Sequence, residues 1–143
     1  MPSFDTYLNF PGTTEEAFNF YRSVFGGEFA AIQRFKDSPE AEKMKGSDGD
    51  KLMHIALPIG KSNLLMGTDV LESQGQKLVA GNNFYISVNA DSQQEADKIF
   101  NGLSQGGKVV LPMQNAFWGT YFGMVNDKFG IQWMITFDPK KNK

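Results

Sequence analysis

Cysteine is missing altogether from the 143 residues, and histidine occurs once, at His54. That leaves no disulfide framework, no thiolate nucleophile and no Cys-ligated zinc or iron–sulfur centre. No apolar run approaches the length of about 18 residues that a membrane helix needs, so no membrane partner is expected. The opening residues Met1-Pro2-Ser3-Phe4-Asp5 lack the basic stretch and apolar stretch of a secretory signal, and the expected location is cytoplasmic. A basic stripe is missing too. Lys and Arg number 14 against 16 Asp and Glu, for a net charge of −2. Phosphate neutralisation needs clustered cations, so nucleic acid is not expected as a partner. The tail lysines Lys140, Lys141 and Lys143 read as a solvated end.

What is present has the balance of a globular protein, with 41% hydrophobic and 21% charged residues. The length predicts one domain over residues 1–143 with a continuous core. Asp5 to Phe10 reads as a strand stopped by Pro11-Gly12. Thr13 and Glu16 then have capping-box spacing ahead of a helix whose apolar face is Ala17, Phe20, Tyr21, Val24 and Phe25. Gly26-Gly27 ends that helix. Phe29 to Phe35 reads as a strand, and the charged, Gly-containing stretch from Lys36 to Lys51 as a mobile loop that makes a plausible lid. Leu52 to Ile59 and Asn63 to Thr68 form a hairpin about Gly60-Lys61-Ser62. After a polar linker the order restarts: a strand from Asn83 to Asn89, then a second capping box in Ser92-Gln93-Gln94-Glu95. A helix follows with Ala96, Ile99, Phe100 and Leu103 on its apolar face, then Gly106-Gly107. Three strands close the chain, Lys108 to Met113, Gly119 to Val125 and Ile131 to Phe137. The segment Glu16-Ala17 through Phe20-Tyr21 to Gly26-Gly27 thus repeats as Glu95-Ala96 through Ile99-Phe100 to Gly106-Gly107. Two βαβββ modules result, about residues 4–70 and 82–138, and since neither buries its apolar face alone they are expected to share a core.

On Tyr7-Leu8-Asn9-Phe10 with Glu16-Ala17 and Phe20-Tyr21, Met53-His54 with Ile59-Gly60 and Leu65-Met66, and Trp118-Gly119 with Asp127-Lys128-Phe129-Gly130 and Trp133, the chain resembles the vicinal-oxygen-chelate (glyoxalase/bleomycin-resistance/dioxygenase) superfamily, PhnB-like branch. The resemblance covers essentially the whole chain. It implies an α+β, glyoxalase-like fold of two βαβββ modules in a curled, cup-like mixed sheet, a homodimer, and a small ligand bound on the concave face, in many members around a divalent metal. A label borrowed from ubiquinone methylation, carried by some members, finds no Gly-rich strand–turn–helix here to support it.

Metal-dependent members place His or Glu on the first and last strands of each half, since such a cation needs nitrogen and oxygen donors at about 2.0–2.6 Å. Strand alternation sends Leu8 and Phe10 toward the helix and Tyr7 and Asn9 toward the cup. In the second half Phe84, Ile86 and Val88 pack inward, while Asn83, Tyr85 and Ser87 line the cup. Where the resemblance implies an acidic ligand, this sequence has Met134, and at the matching position of the first half Met66. No metal and no cofactor is therefore expected. His54 with distant carboxylates such as Glu28, Asp50 or Asp69 remains an unorthodox alternative, against a packing role for the imidazole. An imidazole's ordinary pKa of about 6.5 also suits acid–base work.

Tyr7, Tyr85, Trp118, Tyr121, Phe122, Met66 and Met134 offer an adaptable apolar wall, or else they simply fill space. Trp133, Ile135 and Phe137 read as core. Gly26-Gly27 and Gly106-Gly107 end helices instead of opening them, the wrong arrangement for a phosphate loop. The expected function is a metal-free, PhnB-like binding protein for a small apolar or aromatic ligand, held by Tyr7, Asn9, Met66, Tyr85, Trp118, Phe122, Gln132 and Met134. The alternative is a lyase, isomerase or dioxygenase-like enzyme using His54 as base or in an unorthodox metal site, with Tyr7, Tyr85 or Gln132 orienting the substrate. A third reading is an interaction module whose cup is filled by its own side chains.

Overall fold

A computed structural model describes residues 2–39 and 41–140; Glu40 of the charged stretch and Lys141 and Lys143 of the tail lie outside the described residues. The chain divides into two compact units, Met1–Val79 and Ala80–Lys143. In the first, the alternation of Thr6-Tyr7-Leu8-Asn9-Phe10 makes strand β1 (Thr6–Phe10). Leu8 and Phe10 are buried while Tyr7 and Asn9 are exposed. Pro11 lacks a donor and Gly12 adopts φ 90°, and the strand ends there.

Helix α1 (Thr14–Phe25) buries Thr14, Ala17, Phe18 and Tyr21. This is the i, i+3, i+4, i+7 stripe, rotated from the expected one: Phe18 enters the core, and Phe20, Val24 and Phe25 stay partly exposed. The cause lies in the sheet. The Phe18 ring meets Phe10 and Tyr21 edge-on, with centroids at 6.4 and 5.5 Å. It rests where a Cβ on Gly67 would stand, 2.6 Å from Cε1. The expected capping box is not formed, because the Thr13 side chain makes no cap bond. Asp69 takes its place. Thr14 N and Thr14 Oγ1 donate to Asp69 Oδ1 at 3.0 and 2.6 Å, and Leu52 N donates to Oδ2 at 2.8 Å. A carboxylate at a helix N-terminus also meets the positive end of the helix dipole.

Strands β2 (Ala31–Arg34), β3 (Leu52–Ile59) and β4 (Asn63–Asp69) complete a sheet of order β1-β4-β3-β2, with β1 parallel to β4 and the remaining pairs antiparallel. β2 is shorter than expected, since the chain turns at Phe35. Among its described residues the stretch expected as a mobile loop holds three 3-10 turns, Phe35–Asp37, Ala41–Lys43 and Gly46–Asp50. It buries Asp48, which pairs with Lys51 at 3.0 Å and accepts the Ser73 hydroxyl. Those two partners hold the Asp48 carboxyl below its usual range, Ser73 contributing most.

The second unit repeats the order with β5 (Ile86–Asn89), α2 (Gln93–Ser104), β6 (Lys108–Asn115), β7 (Tyr121–Asn126) and β8 (Gln132–Phe137), arranged β5-β8-β7-β6 with β5 parallel to β8. β5 starts later than expected. Before Ile86 the ladder is replaced by a side-chain bond from Gln132 Nε2 to the Phe84 carbonyl at 2.5 Å, and Phe84, expected inward, is 60% exposed. Here the capping box does form: Glu95 N donates to Ser92 Oγ at 3.0 Å, and Asp91 N donates back to Glu95 at 2.9 Å. The buried face of α2 is Ala96, Ile99, Phe100 and Leu103, as expected. Gly107 is required by space, since a Cβ there would strike the Asn126 carbonyl. Trp133 and Ile135 are core, whereas Phe137 is only partly buried. The Trp133 indole donates to Asp127 Oδ2 at 2.9 Å, while Asp127 Oδ1 closes the β7–β8 turn on Phe129 N and Ile131 N. Each unit is therefore a βαβββ module with a four-stranded mixed sheet that does not close on itself. Among the described residues no helix is long and apolar enough to cross a membrane.

Asp69→Ala strips α1 of its cap and orphans a buried Leu52 N–H, and should cost about 2–4 kcal/mol in urea unfolding. Phe18→Ala should cost about 3–5 kcal/mol. A loss below about 1 kcal/mol for Asp69→Ala would show that other groups cap the helix.

Candidate functional site

In each sheet the face turned away from the helix gathers the residues singled out in the sequence. In the first unit the register sets Tyr7 beside Met66, Met66 beside Ala56 and Ala56 beside Ala31. His54 lies two residues from Ala56 on the same face, next to Gln33, and Asn9 pairs with Thr68. Tyr7, Asn9, His54 and Met66 thus share one surface. The Tyr7 hydroxyl stands 3.4 Å from His54 Nδ1, and the two rings stack with centroids 5.8 Å apart and planes 29° from parallel. This is the one pairing of a phenol with the only imidazole, and both rings keep solvent access, Tyr7 at 47% exposure.

In the second unit Ser87, Met134, Met124 and Leu111 form one row, and Asn89, Thr136, Phe122 and Gln114 the next. Trp118, in the loop before β7, lies against Phe122 at 5.9 Å and meets Phe117 edge-on at 4.9 Å. Tyr85 is partly buried just ahead of β5, and Asn83 is exposed outside it. Gln132 is buried, with its amide engaged on the Phe84 carbonyl. Tyr121 does not belong to this wall. Neighbouring strand residues point to opposite faces, so beside Phe122 it turns toward α2, where its hydroxyl donates to Asp97 Oδ1 at 2.5 Å. That hydrogen bond, ahead of burial, holds the phenol above its usual pKa. Sequence reading passed over Gln33, Thr68 and Met124. Only the strand register shows that they share these faces.

None of the strand residues on either face is a carboxylate. The three carboxylates considered as companions for His54 are engaged elsewhere: Glu28 with Arg22 at 3.8 Å, Asp50 with Lys36 at 3.1 Å, and Asp69 on the α1 cap. Among the described residues no three His, Cys, Asp or Glu side chains stand close enough to hold a metal ion together. Thioethers are soft donors, and neutral amide and hydroxyl oxygens without a carboxylate bring no charge to offset that of a divalent cation.

The sequence model of the family described as 3-demethylubiquinone-9 3-methyltransferase matches residues 2–136. The chain belongs to this family. A crystal structure of protein PA1353 from Pseudomonas aeruginosa is 36% identical, with a TM-score of 0.84 over 96% of this chain and 98% of that one. The PhnB protein from Bacillus cereus is 27% identical, with a TM-score of 0.73 over 95% and 99%. A glyoxalase/bleomycin resistance protein/dioxygenase family enzyme from Burkholderia phytofirmans PsJN, at 17% identity, shares the fold, with a TM-score of 0.60 over 94% of this chain and 98% of that one. The PhnB-like membership and the glyoxalase-like α+β fold are those expected from the motifs.

Because the folded-state pKa of Tyr121 is raised, the stability from its bond to Asp97 is complete below the ordinary phenol pKa of about 10 and is lost as pH rises through the raised value. Urea unfolding from neutral pH upward should show stability falling on the alkaline side. In Tyr121→Phe that fall should be smaller, and an unchanged alkaline limb would assign it to other groups.

Proposed function

We propose that this PhnB-like protein binds a small apolar or aromatic ligand on its helix-free sheet faces without the help of a metal. The observation that carries the reading is the make-up of those faces: aromatic rings, thioethers and polar groups, with no carboxylate among their strand residues. Such a surface offers dispersion contact and a few orienting hydrogen bonds, which is how small-molecule sites are composed. Tyr7, Asn9 and Met66 serve the first unit, and Trp118, Phe122 and Met134 the second. Tyr85 borders β5, and Gln132 contributes by fixing the backbone at Phe84. The methyl transfer in the family's descriptive name is not part of this reading. Such chemistry calls for a Gly-rich strand–turn–helix, and here the first strands run into Pro11-Gly12 and Ala90-Asp91 while the glycine pairs follow helices.

An enzymatic reading has one specific support, the Tyr7 hydroxyl 3.4 Å from His54 Nδ1, since a phenol that orients an imidazole prepares it for proton transfer. We further propose a cytoplasmic homodimer, supported by the open edge of β6, where Val109 and Val110 remain 43% and 44% exposed.

Ligand entry at the second unit should change the fluorescence of Trp118, and Trp118→Phe should abolish that change without unfolding the protein. A change that survives the replacement would place the ligand elsewhere. Elemental analysis of untagged protein equilibrated with Mn²⁺, Fe²⁺, Ni²⁺ and Zn²⁺ should find none retained after free metal is removed, and near-stoichiometric retention would overturn the metal-free reading. If His54 is catalytic, His54→Asn should remove turnover and leave thermal stability nearly intact, whereas a large stability loss would assign the imidazole to packing.

A further inference from the structure

We infer that Tyr7 and His54 together form a receptor, loaded by acid, for an anionic oxygen on a small ligand: a carboxylate or a phenolate carried on an apolar body. This rests on the reading of the first unit's helix-free face as a ligand surface. The near-parallel rings and the 3.4 Å approach hold the phenol oxygen and the imidazole edge side by side. A proton count then decides what they present. The neutral pair has two exchangeable protons, one on the phenol and one on the imidazole. One is spent between them, so a single donor and a single acceptor face outward. Protonating the imidazole changes the set. Nδ1–H now donates to the phenol oxygen, and both Nε2–H and the phenol O–H are free for a ligand. The phenol O–H, polarised by the imidazolium it accepts from, then donates to an anionic oxygen, and the adjacent positive charge favours that oxygen as carboxylate or phenolate.

The surroundings leave that charge available. From the strands packed about the pair, β1 adds Asn9, β2 adds Gln33, and β4 adds Met66 and Thr68, none of them charged. The charged residues adjoining them are committed elsewhere. Arg34 binds Glu15 of α1 at 2.7 Å, Asp69 caps α1, Lys51 pairs with Asp48, and Asp5 accepts from Leu64 N. No strand residue of the face is a carboxylate, and Asp5, the acid just ahead of β1, accepts from Leu64 N, so an incoming anion meets no strand carboxylate competing for the imidazolium. Met66 and Ala56, in the same row as Tyr7, give its apolar body a surface.

The chain has one histidine, so in the untagged full-length protein the imidazole NMR resonances report His54 alone. Benzoate and benzamide serve as matched probes with the same ring, one anionic and one neutral. Benzoate should bind about tenfold more tightly at about pH 5.5 than at about pH 8 and should raise the pH at which His54 titrates, while benzamide affinity stays level. Tyr7→Phe and His54→Gln should each remove the pH dependence of benzoate binding. If both probes bind alike at every pH and the His54 titration is unmoved, the face receives ligands but the donor pair is overturned. If Tyr7→Phe keeps the full pH dependence, the pair is overturned in favour of the imidazole alone. If neither probe binds at any pH, the pair and the ligand reading of this face fall together.

Discussion

The carboxylate of Asp69, only 4% exposed, is the point on which the first unit turns. Its two oxygens accept from Thr14 N, Thr14 Oγ1 and Leu52 N, and so tie the start of α1 and the start of β3 to the end of β4. A buried carboxylate without such donors would be costly, and with them it sets where three segments begin or end. Asp127 does comparable work in the second unit, gathering a turn and the Trp133 indole with both oxygens at the same 4% exposure. The acidic side chains that lie deepest in the molecule are thus consumed by architecture.

That commitment shapes the chemistry left on the sheets. With the carboxylates facing the helices, turns or solvent, the helix-free faces keep rings, thioethers, amides and hydroxyls, and His54 keeps Tyr7 as its hydrogen-bond partner. Strand alternation does the sorting. On β4, Met66 and Thr68 point one way, and Gly67 and Asp69 the other, so Phe18 can rest on Gly67 while Met66 lies beside Tyr7. The core and the candidate site are two sides of one register.

Much of this was legible in advance, because it follows from local pattern. The βαβββ order came from periodicity and glycine stops, the places of Tyr7, Asn9 and Ser87 on the side away from the helix from period-two alternation, and the α2 cap from Ser92 and Glu95, whose partners lie within one turn. The misreadings share a cause. Thr13 and Glu16 have the same capping spacing, yet Asp69, 55 residues from Thr14 in sequence, provides the cap. Phe18 and Phe20 were equally eligible for the core until Gly67 left room for one of them. Tyr121 was set with its neighbour Phe122 because composition carries no direction, and Asp97 on α2 claimed it.

The sequence alone therefore determined the family, the order of elements and the absence of thiol chemistry, because motifs, periodicity and composition are properties of neighbouring residues. Tertiary structure alone decided which carboxylates were spent on caps and turns, which aromatic rings face the helices, and that Tyr7 meets His54. The meeting of Tyr7 with His54 and of Thr14 with Asp69 depends on strand register, which brings together residues 47 and 55 positions apart and is set by packing against the whole sheet and not by any local signal.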